Sequence, residues 1–182
     1  YSKRGTINDD GTVTWATPVL VYSSGTANIS TRGTNVAKLA NGVLLASGWF
    51  YDTNLATSTG FGFVCRSTDN GLTWSAPITT GGCTGYVNIQ GRAIQLANGR
   101  VLLPIFGQDS PSGLLASRVQ YSDDNGLTWA TLSTILTGNN AIETSLCLLT
   151  NGHIIATQRN QGQNQIGAQL STDSGVTWSS YA

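Results

Sequence analysis

The sequence predicts an all-β fold, a β-propeller of four-stranded antiparallel blades, of which this chain holds about three and a half. One repeat that predicts it is the eight-residue motif Ser-x-Asp-x-Gly-x-Thr-Trp, which starts at Ser67, Ser122 and Ser171. A second repeat is an Asn-Gly pair between apolar segments, which starts at Asn41, Asn98 and Asn151. Beginning from Trp15, the tryptophans of successive motifs are 59, 55 and 49 residues apart. Such a period suits one four-stranded blade.

The eight-residue motif is interpreted as a turn device and not as a catalytic element. In the copy that starts at Ser67, the side chains of Ser67 and Asp69 are suited to accept backbone N–H hydrogen bonds and to fix a tight turn. Gly71 supplies the positive φ angle that such a turn needs. Trp74 offers a large apolar body that we expect to pack between neighbouring blades. A degenerate copy of the motif ends at Trp15.

The Asn-Gly pairs predict where the strands lie, because a type I′ hairpin turn needs two positive φ angles. The first complete unit is predicted to have strands at residues 33–40, 43–50, 61–67 and 73–79. The whole chain, residues 1–182, is predicted to be a single propeller domain that forms a partial ring. Its predicted parts are a half blade at 1–22 and blades at about 33–80, 87–133 and 141–182.

The composition argues against two classes of partner. Lys and Arg number 9, and so do Asp and Glu, so the formal net charge is zero. This balance gives no electrostatic reason to expect nucleic acid or an anionic membrane as a partner. No apolar run approaches the ~20 residues of a membrane span. Charged residues make up only 10% of the chain, and its uncharged polar character favours a secreted protein, extracellular or at the cell surface.

Three cysteines are present, Cys65, Cys83 and Cys147, and an odd number leaves at least one unpaired in a monomer. No Cys-x-x-Cys spacing occurs, so we expect no zinc site, and no other metal or cofactor is expected either. Two interpretations of the cysteines remain open. They are small buried apolar side chains, or Cys65 and Cys83 form a disulfide in a secreted protein.

Three motif copies in register, with hairpins between them, resemble the sialidase superfamily over essentially the whole chain. The resemblance implies a sialidase-type propeller and an exo-acting glycoside hydrolase that removes a terminal sugar, such as sialic acid, from extracellular glycans. It also implies a ring of six blades. We therefore expect the missing blades to come from a longer protein, from self-association with a second copy, or from partners in an extracellular assembly. The family's nucleophilic Tyr and third Arg belong to such later blades.

The resemblance also assigns roles to three charged residues. Arg32 precedes Gly42 by ten residues, as the first arginine of the family precedes its hairpin glycine, and would bind the substrate carboxylate. The segment from Asn140 to Glu143 is similar to the family segment in which Glu polarises the nucleophilic Tyr. Arg159 resembles the second arginine. A planar guanidinium suits a carboxylate because it forms two parallel hydrogen bonds.

Three further residues are candidates for the site. Asp52 is the carboxylate nearest to the place where the family has its acid/base Asp. Gln90 occupies the place in the middle unit that corresponds to Arg32 and offers an amide to a ligand. Trp49 begins an aromatic run that ends at Tyr51, and its ring suits the C–H face of a sugar. The alternatives are that the charged residues are only solvated or ion-paired around the central channel and that the aromatic run packs inside a blade.

Two other functions are consistent with the sequence. The chain is a non-catalytic module that binds glycans, for which the aromatic run and the neighbouring Asn and Gln residues are suited. Alternatively, it is a structural protein of an extracellular assembly, which its low charge and open blade edges would favour. Binding without turnover would indicate the first of these, and self-assembly into oligomers or filaments would indicate the second.

Overall fold

The computed structural model describes residues 1–25, 29–52, 60–109, 113–138 and 140–180. In these ranges the chain forms fourteen β-strands and no helix, and every pair of strands is antiparallel. The prediction of an all-β protein is confirmed. None of the described residues belongs to a helix that could cross a membrane.

The first half of the chain forms two sheets. A two-stranded sheet pairs β1 (Gly5–Ile7) with β2 (Val13–Trp15). A four-stranded sheet follows in simple up-and-down order, with strands β3 (Ile29–Lys38), β4 (Leu44–Asp52), β5 (Gly60–Ser67) and β6 (Ile78–Thr80). The last strand is shorter than the predicted 73–79, because the turn motif and the segment after it take up most of that range.

The second half of the chain forms two more sheets. The second large sheet contains β7 (Val87–Asn88), β8 (Ile94–Gln95), β9 (Val101–Gln108), β10 (Leu115–Ser122) and β11 (Ala130–Leu136). Both β7 and β8 pair with β9, so the inner strand of this sheet is interrupted. The third large sheet contains, within the described ranges, β12 (Ala141–Leu148), β13 (Ile154–Asn160) and β14 (Gln165–Ser171).

The three turn motifs share one hydrogen-bond pattern. The Ser67 hydroxyl donates to Asp69 Oδ1 at 2.8 Å and accepts from the Gly71 backbone N–H at 2.8 Å. The Asp69 carboxylate also accepts from the backbone N–H and the hydroxyl of Thr73, at 2.9 and 2.5 Å. Gly71 has φ 80°, a conformation that a side chain would strain. Equivalent bonds form in the motifs that start at Ser122 and Ser171.

These hydrogen bonds favour the ionised form of the motif carboxylates. The hydroxyl and the backbone N–H of Thr73 lower the pKa of Asp69 from 3.8 to about 2, and the pKa of Asp173 is lowered to about 2 in the same way. At Asp124 burial, the largest single cause, raises the pKa, but the donors of Thr128, Ser122 and Leu127 together outweigh it and the pKa again lies at about 2. The folded chain therefore binds fewer protons here than the unfolded chain does.

We expect the stability that these carboxylates provide to be present above about pH 4 and to be lost as the pH falls towards about 2, because each folded pKa is depressed. Thermal unfolding followed by circular dichroism between these pH values measures the loss as a falling Tm. Thr73→Val removes one donor to Asp69 and should flatten the pH dependence. Thr79→Val, an exposed strand threonine outside the motif, is the matched control. Equal pH slopes for wild type and Thr73→Val would contradict this explanation.

The large sheets stack face to face around two hydrophobic cores. The first core lies between the four-stranded sheet and the second large sheet, and its buried side chains include Leu45, Val64, Ile89, Leu103 and Ile105. The second lies between the second and third large sheets and includes Leu102, Val119, Ile135, Leu146 and Ile154. Trp129 packs against the first core and Trp178 against the second. The indoles of these turn motifs therefore lie between successive sheets, as the sequence predicts.

The first strands of the second and third large sheets lie close to the preceding sheet. β7 contacts β4 and β5, and β12 contacts β8, β9 and β10. Asn35 Nδ2 donates to the backbone oxygen of Gln90 at 2.9 Å. A Cβ atom at Gly33 would lie 2.6 Å from the backbone oxygen of Ile89, so only glycine allows this approach. Side chains of these inner strands and of the strands beside them are therefore placed near one another.

All three cysteines are free thiols in the structure, so the Cys65–Cys83 disulfide is not formed. Cys65 is buried on β5, and burial raises the pKa of its thiol to about 11. Cys83 is half-buried, and burial raises its pKa as well. Cys147 is exposed on β12, which differs from the expectation that the cysteines are buried apolar side chains.

Candidate functional site

Two inner strands carry a bulge at the place where candidate residues lie. The pairing of β3 with β4 shifts between Arg32 and Asn35, and the pairing of β12 with β13 shifts between Ile142 and Ser145. A bulge bends its strand and turns side chains in a new direction. One residue in each bulge has a left-handed backbone, Gly33 with φ 62° and Glu143 with φ 57°.

Arg32 lies at the first bulge, with its guanidinium beside two aromatic rings. Its Cζ atom is 5.6 Å from the ring centroid of Trp49 and 5.1 Å from that of Tyr51. Its Nε–H donates to the Ser30 hydroxyl at 3.2 Å. A cation over the ring face is attracted by the negative charge there, so the aromatic residues orient the guanidinium. Arg32 is exposed, and it can therefore reach a ligand from this position.

The same aromatic residues line a cavity of about 90 Å³, together with Gly60, Tyr86 and Asn88. Asn88 is only 7% exposed. Within the described residues, its Oδ1 atom and the Nε1 atom of Trp49 are buried and have no hydrogen-bond partner. Buried polar atoms normally find a partner, so these two unpaired atoms are exceptions, and both belong to residues that line the cavity. Aromatic rings next to unpaired polar atoms form an arrangement that suits the binding of a sugar.

Tyr86 and Asn88 were not predicted from the sequence. They lie on or beside β7 and meet Trp49 and Tyr51 of β4 only because the second large sheet packs against the four-stranded sheet. The one available signal was that Asn88 stands two residues before Gln90, in the inner strand of the middle unit. A strand of only two residues, Val87–Asn88, carries no periodic pattern that would distinguish it from a loop.

Glu143 and Arg159 form an ion pair across the second bulge, with 3.1 Å between Glu143 Oε1 and Arg159 Nη1. The side chains are 40% and 47% exposed, so the pair itself contributes little to stability. Glu143 is the only glutamate of the chain. Its left-handed backbone costs about 1 kcal/mol or more for a residue of this type. Such strain is concentrated at functional sites.

The remaining candidates are placed as follows. Trp49 and Arg159 occupy the same position in their sheets, each seven residues after its hairpin glycine. Asp52 ends β4 directly after Tyr51, opposite Ile29, and is half-buried. Gln90 is exposed and contacts Asn35 through its backbone oxygen. The structure thus joins Arg32 to Trp49 on the four-stranded sheet and Glu143 to Arg159 on the third large sheet.

A pair of substitutions at Glu143 measures the strain at the second bulge. Glu143→Asn and Glu143→Gln both remove the charge and the ion pair with Arg159, but asparagine tolerates the left-handed backbone better than glutamine does. We expect the Asn variant to be more stable than the Gln variant by about 0.5–1 kcal/mol. Urea unfolding of the two variants measures this difference. A Gln variant as stable as the Asn variant would show that the backbone at Glu143 is not strained.

Comparison with known proteins assigns the chain to a family. The BNR repeat-like domain model matches residues 4–182. A curated sialidase of Paraclostridium sordellii is 29% identical over 158 residues, which cover 76% of this chain and 39% of the sialidase. The chain therefore spans about two fifths of the length of the curated relative that it matches.

Solved structures confirm the predicted sialidase-type propeller. A Hadza microbial sialidase superposes with a TM-score of 0.75 at 19% identity, over 91% of this chain and 37% of that chain. The GH93 α-L-arabinofuranosidase of Fusarium graminearum, in a complex with arabinobiose, superposes with a TM-score of 0.68 at 18% identity. That match covers 86% of this chain and 50% of the other. At these identities the likeness shows the fold, and the sheets described above form part of such a propeller without closing it.

Proposed function

Because the chain belongs to the BNR repeat-like domain family and has the fold of a glycoside hydrolase, we propose that it is part of a sialidase-like enzyme. The enzyme would act outside the cell on a terminal acidic sugar of a glycan. The observation that carries the proposal is the Glu143–Arg159 pair, which is built on a strained backbone at a bulge. A left-handed glutamate is maintained at a cost in stability, which is typical of residues that serve a function.

In this proposal two arginines bind the carboxylate of the sugar. Arg32 is oriented by Trp49 and Tyr51, and Arg159 is oriented by Glu143. Each guanidinium carries five N–H donors, so Arg159 can bind Glu143 and a ligand at the same time. Hydrogen bonds between ionised partners are about twice as strong as neutral ones, which makes a carboxylate the preferred ligand group.

The other roles follow from chemistry and position. Glu143 would polarise a nucleophile, which is not among the residues assigned in this chain, and Asp52 would donate the proton to the leaving group. The ring of Trp49 would pack on the sugar, with Asn88 Oδ1 as an acceptor for a sugar N–H or O–H. Gln90 is exposed beside the same inner strand and would contact the sugar through its amide.

A specific observation also favours a second candidate, a glycan-binding module without catalysis. The cavity lined by Trp49, Tyr51, Tyr86 and Asn88 has rings and unpaired polar atoms of the kinds that suit a sugar, and none of the described residues that line it is a carboxylate. Binding would then need Arg32 and these four residues but neither Glu143 nor Asp52. Hydrolysis of a bound glycan would distinguish the hydrolase from the non-catalytic module.

Binding is tested with three ligands. The chain is titrated calorimetrically with sialic acid, with its methyl ester and with arabinobiose. Because the ester keeps the shape but lacks the charge, we expect it to bind at least about tenfold more weakly than the acid. Equal binding of acid and ester, or preference for arabinobiose, would overturn the assignment of an acidic sugar. Binding of none of the three ligands would overturn both candidate functions.

Hydrolysis of an aryl sialoside by the complete protein is the second test. For the hydrolase, Glu143→Gln should lower kcat by about 100-fold or more, because it removes the group that assists the nucleophile. Asp123→Asn is the matched control, since Asp123 is an exposed carboxylate that is ion-paired with Arg100 at 2.7 Å. Binding of sialic acid without turnover would favour the non-catalytic module. Equal rates for wild type and Glu143→Gln would contradict the role given to Glu143.

A further inference from the structure

A glycine-rich segment joins the four-stranded sheet to the second large sheet and carries part of the cavity. It consists of residues 81–86, between β6 and β7, and has glycine at three of its six positions. We call it the connector. Glycine has more backbone conformations available than any other residue, so the connector is not held by its own backbone preferences. Tyr86 at its end and Asn88 just after it nevertheless line the cavity with Trp49. Contacts from other elements therefore fix its path.

The connector lies along the end of β9. The backbone N–H groups of Thr84 and Gly85 donate to the backbone oxygen of Gln108 at 3.0 and 3.4 Å. The N–H of Gln108 donates in return to the backbone oxygen of Tyr86 at 3.3 Å. Gly107 allows this approach, because a Cβ there would overlap the backbone oxygen of Tyr86. The second half of the connector is thus fixed by backbone contacts with β9.

Two side chains of β10 bind the first half of the connector. Arg118 Nη1 donates to the backbone oxygen of Gly82, and Arg118 Nη2 donates to Asp109 Oδ1. Gln120 Nε2 donates to the backbone oxygen of Gly81 at 2.5 Å. The side chains of Arg118 and Asp109 are only 20% and 22% exposed, so solvent screens this ion pair less than a surface pair. One guanidinium therefore joins the connector to the residue that directly follows β9.

We propose that Arg118 is a positioning residue for the sugar cavity. Its guanidinium binds the connector and thereby determines where Tyr86 and Asn88 lie relative to Trp49. The described residues that line the cavity lie on β4, on β5 and on or beside β7, so Arg118 of β10 acts on the ligand only through the connector. This inference rests on the proposed function, because Arg118 has this role only if the cavity binds a sugar.

Calorimetric titration with sialic acid tests the effect on binding. Without Arg118 the connector gains conformational freedom that the ligand must remove again, so Arg118→Gln should weaken binding about tenfold. Arg118→Lys should lose less, because lysine keeps the charge but lacks the planar fork for two acceptors. Arg100→Gln is the matched control, since it removes the same charge from an ion pair with Asp123 before the other end of β9. Circular dichroism checks that each variant is folded.

Cys83 reports the state of the connector in the same molecules. It is half-buried, whereas Cys65 is buried and Cys147 is exposed. Arg118→Gln should raise the rate of maleimide alkylation of Cys83 severalfold and leave Cys65 and Cys147 unchanged, as measured for each thiol by mass spectrometry. Burial raises the pKa of Cys83 and the charge of Arg118 lowers it, so loss of the charge alone would slow the reaction. A faster reaction therefore indicates an opened connector.

The possible results distinguish this inference from the proposed function. If wild type and Arg118→Gln bound sialic acid equally well, Arg118 would not position the cavity, while the proposed function would stand. Alkylation that rose as much at Cys65 as at Cys83 would show that Arg118 only stabilises the fold. A wild-type chain that bound no sialic acid would overturn the proposed function and this role of Arg118 together. If Arg118→Gln did not fold, the same results for Arg118→Lys would decide.

Discussion

Leu103→Ala should lower the free energy of unfolding by about 2–5 kcal/mol, which is a large part of the stability of a domain of this size. Leu103 is 0% exposed on β9, the strand that pairs with β7, β8 and β10 at the centre of the second large sheet. Its side chain belongs to the core shared with the four-stranded sheet. The substitution removes apolar contacts from both sheets and leaves a cavity, because a β-sheet held by two neighbours cannot collapse to fill it.

Urea unfolding of the chain measures this effect, with Leu127→Ala as the matched control. Leu127 is 52% exposed in a turn motif, so the same change of side chain there should alter stability by less than about 0.5 kcal/mol. The comparison is made at low protein concentration. If both leucine variants lost the same stability, the face-to-face packing of the sheets around Leu103 would be wrong.

The parts of the fold that short-range chemistry specifies were predictable from the sequence. Asp69 and Gly71 define a turn within a single motif, and the Asn-Gly pairs define hairpins whose strands run from β3 to β4, from β8 to β9 and from β12 to β13. The hairpin turns are nevertheless not of the predicted type I′, because Gly42, Gly99 and Gly152 have positive φ angles and the asparagines before them do not. The positions of the turns were still predictable, since each turn needs only a few adjacent residues. The position of Trp129 and Trp178 between sheets followed from their size and apolar character.

The candidate site was less predictable, because contacts between sheets build it. Arg32 was identified from its spacing to Gly42, but its orientation depends on Trp49 and Tyr51 of the neighbouring strand. Asn88 enters the cavity through packing of β7 against β4, which no local pattern encodes. The bulge at Glu143 is also hidden, because glutamate does not favour the left-handed conformation and only the surrounding structure maintains it.

The geometry around Arg32 determines how much affinity its guanidinium contributes to the binding of a carboxylate ligand. A guanidinium beside two rings loses less conformational freedom on binding than a mobile one, so more of its hydrogen-bond energy appears as affinity. A hydrogen bond to a charged group contributes about 1.5–3 kcal/mol, which corresponds to roughly 10–150-fold in affinity. Lysine keeps the charge but has no planar fork for two parallel bonds.

Arg32→Ala should therefore weaken the binding of sialic acid by about 10–100-fold and leave the weak binding of its methyl ester nearly unchanged. Arg32→Lys should give an intermediate loss, because it keeps the charge without the bidentate geometry. Calorimetric titration of the acid and of its ester measures both effects. Arg100→Ala is the control, since Arg100 also lies over a ring, 4.4 Å from the centroid of Tyr121, while its guanidinium is paired with Asp123. If the Arg32 and Arg100 variants bound the acid equally well, Arg32 would have no part in holding the carboxylate, and its place beside Trp49 and Tyr51 would be structural only.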